Sequence, residues 1–142
     1  MPANRLVDKF IPLQVRRKAI LSVQNPVRLG RYSELHPDIA LFVPREDFYA
    51  EAHSGPVDVL LLVEVAESSA ECDCEVKVSL YARFGIREVW LVDLESGHVE
   101  VYRTPSPRGC KEETIQRRGG SLRPMALPES KIRVEKILVP QD

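Results

Sequence analysis

The chain has 142 residues, 44% apolar and 29% charged, with a formal net charge of −1. That length supports one domain with its own core. No apolar run is long enough to cross a bilayer, Met1-Pro2-Ala3-Asn4-Arg5 lacks an export pattern, and the three cysteines (Cys72, Cys74, Cys110) have no framework spacing. Membrane, exported and disulfide-rich classes are therefore disfavoured, and a reducing cytoplasm fits.

Taken in chain order, residues 4–15 predict a helix, with Leu6, Phe10 and Leu13 near helical spacing and Asn4 as a candidate N-cap. Pro12 weakens its last turn. Residues 19–23 predict a short strand closed by Gln24-Asn25-Pro26, and residues 27–37 a polar loop. Residues 39–43 form an apolar strand entered through His36-Pro37-Asp38 and ended by Pro44. An acidic stretch with Tyr49 runs to a Ser54-Gly55-Pro56 turn.

Residues 57–65 are almost continuously Leu or Val, the pattern of a central strand buried on both faces. Glu64 interrupts it. Ser68-Ser69 offers an N-cap for a helix over residues 70–84, which Gly85 stops. On that helix Val76, Leu80 and Phe84 form an apolar stripe, while Asp73, Lys77 and Tyr81 form a second row at intervals of four. Residues 88–93 predict a second buried strand with Trp90 in the core. Glu95-Ser96-Gly97 then turns into a hairpin partner over residues 99–103. A loop at residues 105–109, a strand at 113–116, Gly119-Gly120 and a closing element at 132–138 complete the chain. The order predicts a mixed α/β domain around one central sheet.

The charge is unevenly placed. Residues 1–31 hold seven Lys or Arg and one acid, Asp8, whereas residues 32–75 hold eleven acids and one base, Arg45. Such a division suits a protein that holds a polyanion beside a divalent cation. Two solvated faces of opposite sign are the simpler account. Cys72-Asp73-Cys74 lacks the further ligands that a zinc site requires.

Asp38, Glu64 and Lys77 form the constellation with chemical content. A carboxylate near the end of a strand buried on both faces costs several kcal/mol, roughly, unless it is paired or metal-bound. A second carboxylate from a neighbouring strand completes an oxygen-rich site for Mg²⁺ or Mn²⁺, and a nearby lysine stabilises phosphate charge or helps deprotonate water. Each residue also has a structural reading. Asp38 after Pro37 is a turn former, Glu64 is one half of a salt bridge with an Arg, and Lys77 is a solvated partner for Asp73. His36 and the Arg16-Arg17-Lys18 cluster have loop readings beside their phosphate-contact ones. Tyr81 either orients the lysine or packs.

The run Val63-Glu64-Val65-Ala66-Glu67-Ser68-Ser69, with Asp73, Lys77, Tyr81-Ala82-Arg83, Gly85-Ile86 and Glu88-Val89-Trp90-Leu91-Val92-Asp93, resembles the Uma-type family of restriction endonucleases. That family lies within the PD-(D/E)XK nuclease superfamily. Gln24-Asn25-Pro26-Val27-Arg28-Leu29, Pro37-Asp38-Ile39-Ala40, Val99-Glu100-Val101-Tyr102-Arg103 and Ala126-Leu127-Pro128 extend the resemblance over residues 19–138. It implies a restriction-endonuclease-like mixed central β-sheet flanked by helices, and cleavage of DNA with Mg²⁺ or Mn²⁺. Asp38 and Glu64 would be the metal carboxylates, and the Val65 carbonyl a further ligand. The superfamily's usual lysine position falls at Ala66, so the lysine is displaced onto the following helix as Lys77.

Family members usually carry a further N-terminal segment with a β-hairpin and an acidic residue. This chain begins inside what resembles the helix after it, giving a single nuclease-like domain over residues 1–142 without that hairpin. Cys72-Asp73-Cys74 stands where the family commonly has Tyr-Asp-Arg. An incomplete sheet edge invites a homodimer. The competing expectation is a catalytically silent nuclease fold that binds nucleic acid or a protein partner.

Overall fold

The computed structural model describes residues 20–23, 27–28, 34–35, 37–44, 55–67, 74–106 and 109–138. Its centre is a six-stranded mixed sheet. The strands are β1 (Ile20–Val23), β4 (Ile39–Phe42), β5 (Val59–Ala66), β6 (Glu88–Asp93), β7 (His98–Ser106) and β8 (Gly109–Arg117), adjacent in that order. The pair β5–β6 is parallel and every other neighbouring pair is antiparallel. A parallel pair needs a crossover, and helix α1 (Cys74–Arg83) lies within it. Two short ribbons accompany the sheet, β2 (Val27–Arg28) with β3 (Glu34–Leu35) and β9 (Ser121–Leu122) with β10 (Ile132–Arg133). The one-turn helix α2 (Val134–Ile137) follows β10. Among the described residues no helix is long and apolar enough to cross a membrane.

Both faces of the sheet are covered, which is why β4, β5 and β6 are so uniformly apolar. On one face Ala40, Phe42, Leu62 and Val89 pack under Val78 and Tyr81 of α1, with Ile86 beyond it. On the other, Leu61, Val63, Trp90, Val92, Val99 and Val101 meet Leu122, Leu127, Ile132, Val134, Ile137 and Leu138 of the C-terminal segment. The mixed α/β architecture implied by the sequence is the one observed.

Several details differ from the sequence reading, among them the loop expected over residues 105–109, into which β7 and β8 extend from either side. The expected loop over residues 27–37 contains β2 and β3, whose two residues each are too few to show a hydrophobic period. The strand expected at 113–116 spans Gly109–Arg117, and its edge position leaves most side chains solvated, so no apolar alternation announces it. Val76 is 68% exposed rather than part of the inward stripe. Helix α1 is rotated so that Val78, Tyr81 and Ala82 are buried, while Leu80 and Phe84 pack at the margin. The helix expected over residues 4–15 and the start of the one expected from residue 70 lie outside the described residues.

Candidate active site

Asp38 enters β4 one position before Ile39, and Ile39 pairs with Val63 of β5. This register places Asp38 beside Glu64. The Val65 amide donates to Asp38 Oδ2 at 2.7 Å, so the carboxylate is tied to the backbone of the strand that carries Glu64. Pro37 before it is buried, which fixes the entry to the strand.

Glu64 projects from β5 toward α1 and is only 6% exposed. Tyr81 donates its hydroxyl to Glu64 Oε1 at 2.8 Å, and Lys77 donates to Oε2 at 3.2 Å. Residues 77 and 81 stand one helical turn apart, so one row of α1 supplies both donors. Burial pushes the Glu64 carboxyl above its usual range; Lys77 and the Tyr81 hydroxyl pull it back, and the charge of Asp38 raises it further. Burial, and then the negative charge of Glu64, hold the Tyr81 phenol above its usual range. The Lys77 side chain is 41% exposed. Its ammonium therefore spans a buried carboxylate and solvent, the position from which a cation can meet an incoming anion.

The structure thus brings together Asp38, Glu64 and Lys77, with the Val65 amide bonded to Asp38 and Lys77 to Glu64. Glu64 does form an ion pair, with Lys77 rather than an arginine. His36, Asp73 and the Arg16-Arg17-Lys18 cluster lie outside the described residues. Of the two readings of Tyr81, orienting the lysine or packing, the structure shows packing, with the ring buried under the sheet cluster and its hydroxyl bonded to Glu64 rather than to Lys77. Missed altogether were Asp93, His98 and Glu100, three potential ligands grouped at the same end of β6 and β7. The His-x-Glu alternation at 98 and 100, which puts both on one face of a strand, was the available signal.

Over residues 2–135 the sequence matches the Uma2 family, described as "Putative restriction endonuclease". The chain belongs to the Uma2 family. A crystal structure titled as "a putative nuclease belonging to DUF820" from Anabaena variabilis shares its fold, with a TM-score of 0.67 and 18% sequence identity. That similarity covers 96% of this chain and 75% of the other. No curated protein matches the sequence. Membership of Uma2 agrees with the nuclease-like sheet, and with a nucleic acid as the class of substrate implied by the family description.

Two carboxylates side by side, one of them desolvated, form a donor set that suits a hard divalent cation. Glu64 receives two hydrogen bonds from side chains, yet burial still raises its proton affinity. Further positive charge at this point would lower that cost.

Proposed function

We propose that this Uma2 protein is a metal-dependent endodeoxyribonuclease whose site is Asp38, Glu64 and Lys77, with the Val65 carbonyl as an additional ligand. The observation that carries this reading is the convergence of Asp38 on the Val65 amide and of Lys77 on Glu64. A strand residue directs its N–H and C=O to the same neighbour. Because the Val65 amide meets Asp38, its carbonyl leaves β5 on that same side.

Asp38, Glu64 and the Val65 carbonyl would hold Mg²⁺ or Mn²⁺. The bound ion supplies a more acidic water and stabilises charge on the phosphate. The protein's own residues do the rest. Asp38 and Glu64 orient through their fixed strands, so the ligand geometry is preorganised rather than assembled on binding. Lys77 holds positive charge at the solvent side of Glu64, where a scissile phosphate would accumulate negative charge. Tyr81 fixes one Glu64 oxygen and thereby leaves the other to face Lys77.

The test is nicking of supercoiled plasmid by purified protein. Activity is expected with Mg²⁺ or Mn²⁺ and should vanish with a chelator. Glu64→Ala is expected to abolish cleavage with the fold intact, and Lys77→Ala to lower the rate roughly 10²-fold or more. Equal cleavage by wild type and Glu64→Ala would assign the activity to a contaminant and remove support for this site. Binding to DNA without cleavage under either metal would favour the silent-fold reading, in which Ala66 in place of a lysine marks lost chemistry.

A further inference from the structure

On the face of the sheet that carries Glu64, a second group of ligating side chains lies on the next two strands, Asp93 on β6 and His98 and Glu100 on β7. Glu64 stands beside Leu91, and Leu91 pairs with Glu100; one step further along, Asp93 pairs with His98. With neighbouring strands about 4.8 Å apart, Glu100 is roughly 10 Å from Glu64. Asp93, His98 and Glu100 each offer a ligand atom within 4.8 Å of the others. His98 Nε2 is 3.0 Å from Glu100 Oε2 and 3.9 Å from Asp93 Oδ2.

Burial makes this arrangement expensive without a cation. Asp93 is 1% exposed and His98 8% exposed. The Ser96 amide donates to Asp93 Oδ1 at 3.1 Å, and the Tyr102 hydroxyl donates to Glu100 Oε1. Among the described residues, neither carboxylate is paired with a lysine or arginine. Arg117 pairs with His98 across β7–β8 but is exposed and bonds to neither acid. The His98 imidazole turns Nε2 toward both acids, while its Nδ1 is buried with no hydrogen-bond partner. Two carboxylates and one nitrogen therefore face a common point with negative charge in excess.

We propose that Asp93, His98 and Glu100 form a second site, for a divalent transition-metal ion such as Mn²⁺. One imidazole and two carboxylates favour such an ion over Mg²⁺, which prefers oxygen alone. Metal–ligand bonds of about 2.0–2.2 Å require only small inward rotations from the observed spacings. By strand geometry the Asp93 and Glu100 backbones stand roughly 8 and 10 Å from that of Glu64, whereas paired catalytic ions sit roughly 3.5–4 Å apart. Binding of the second ion does not depend on the nuclease reading.

The experiment is Mn²⁺ titration of the full chain, followed by calorimetry and by the electron paramagnetic resonance of free Mn²⁺. Manganese is the probe because the thiolates of Cys72 and Cys74 compete little for it. Glu64→Ala is expected to retain one Mn²⁺ equivalent. Adding His98→Ala or Glu100→Gln to that background should weaken it roughly 100-fold or more, with circular dichroism unchanged. Glu100→Gln keeps the side-chain volume and guards against loss of fold in the histidine variant. No Mn²⁺ binding by Glu64→Ala, or binding indifferent to both added substitutions, overturns the second site. Equal stoichiometry in wild type and Glu64→Ala would count against the Asp38–Glu64 site alone.

Discussion

Glu64 is held where the folded chain would rather have it neutral. Its ordinary value is 4.5, and burial raises it in the folded state. A carboxyl shifted upward contributes stability that is fully present below the unfolded value and lost as pH rises through the folded one. As pH rises above the unfolded value, Glu64 therefore contributes progressively less to the stability of the metal-free fold. Glu64→Gln is expected to melt at a higher temperature than wild type at pH 7, with the difference shrinking toward pH 4 in thermal denaturation. The same substitution should abolish cleavage. Tyr81 has the matching behaviour at the other end of the scale. Its phenol is raised above 10.0, so its contribution is lost as pH climbs beyond that value, and Tyr81→Phe should unfold less steeply in alkali. The residue pattern alone left Asp38, Glu64 and Lys77 as candidates with a structural reading beside each, and it was the family resemblance that joined them into one expected site. The bond from Tyr81 to Glu64 was not legible, since it depends on which face of α1 packs on the sheet, where Val78, Tyr81 and Ala82 are buried. Val76 therefore misled: an apolar spacing says which residues share a face, not which face turns inward.

Among the elements, α1 shows how the site is held at the right angle. Its last turn closes with Ile86 N–H donating to Tyr81 C=O at 3.1 Å and Gly85 N–H donating to Ala82 C=O at 3.0 Å. These are the two bonds of a Schellman cap, and Ile86 packs in the same cluster as Tyr81. Gly85 supplies the positive φ, at +79°. Gly85→Ala is expected to cost about 1–2 kcal/mol in chemical denaturation, because an L side chain strains in that region although space is open around it. Cleavage should fall more than stability does, since the cap fixes the turn from which Tyr81 reaches Glu64. Gly85 was readable as a helix stop, and Glu88–Asp93 was found at both ends because a turn signal bounds it on each side. Strand β8 was read short for the opposite reason: its exposed Lys111, Glu112, Glu113 and Thr114 carry no burial pattern.

Across the molecule, one buried acid joins the sheet to the C-terminal segment. Glu88 is fully buried and accepts from Trp90 Nε1, Arg103 Nε and the Met125 amide, each at 2.8 Å. Arg103 also donates to the Arg123 carbonyl at 2.8 Å. Three separate parts of the chain thus meet at one carboxylate, while sequence reading had Glu88 only as the first residue of a strand. Long-range convergence of this kind has no local pattern. Glu88→Ala is expected to destabilise by roughly 3 kcal/mol or more in urea unfolding, the scale of breaking a buried ion pair by removing one partner. A loss below 1 kcal/mol, about the scale of a surface pair, would show that water replaces the missing acceptor at little cost.

The crossover between β5 and β6 also governs the order in which the molecule can be made. A hairpin such as β7–β8 closes locally, whereas a parallel pair must wait until the intervening chain has been laid across the sheet. Glu64 lies two residues before the end of one strand of that pair, and Lys77 and Tyr81 ride on the connection, so their contacts form with the late, non-local step. Trp90, the sole tryptophan, pairs with Val63 in the same ladder. Stopped-flow refolding monitored by its fluorescence would therefore time the birth of the proposed catalytic centre, without any substrate or metal present.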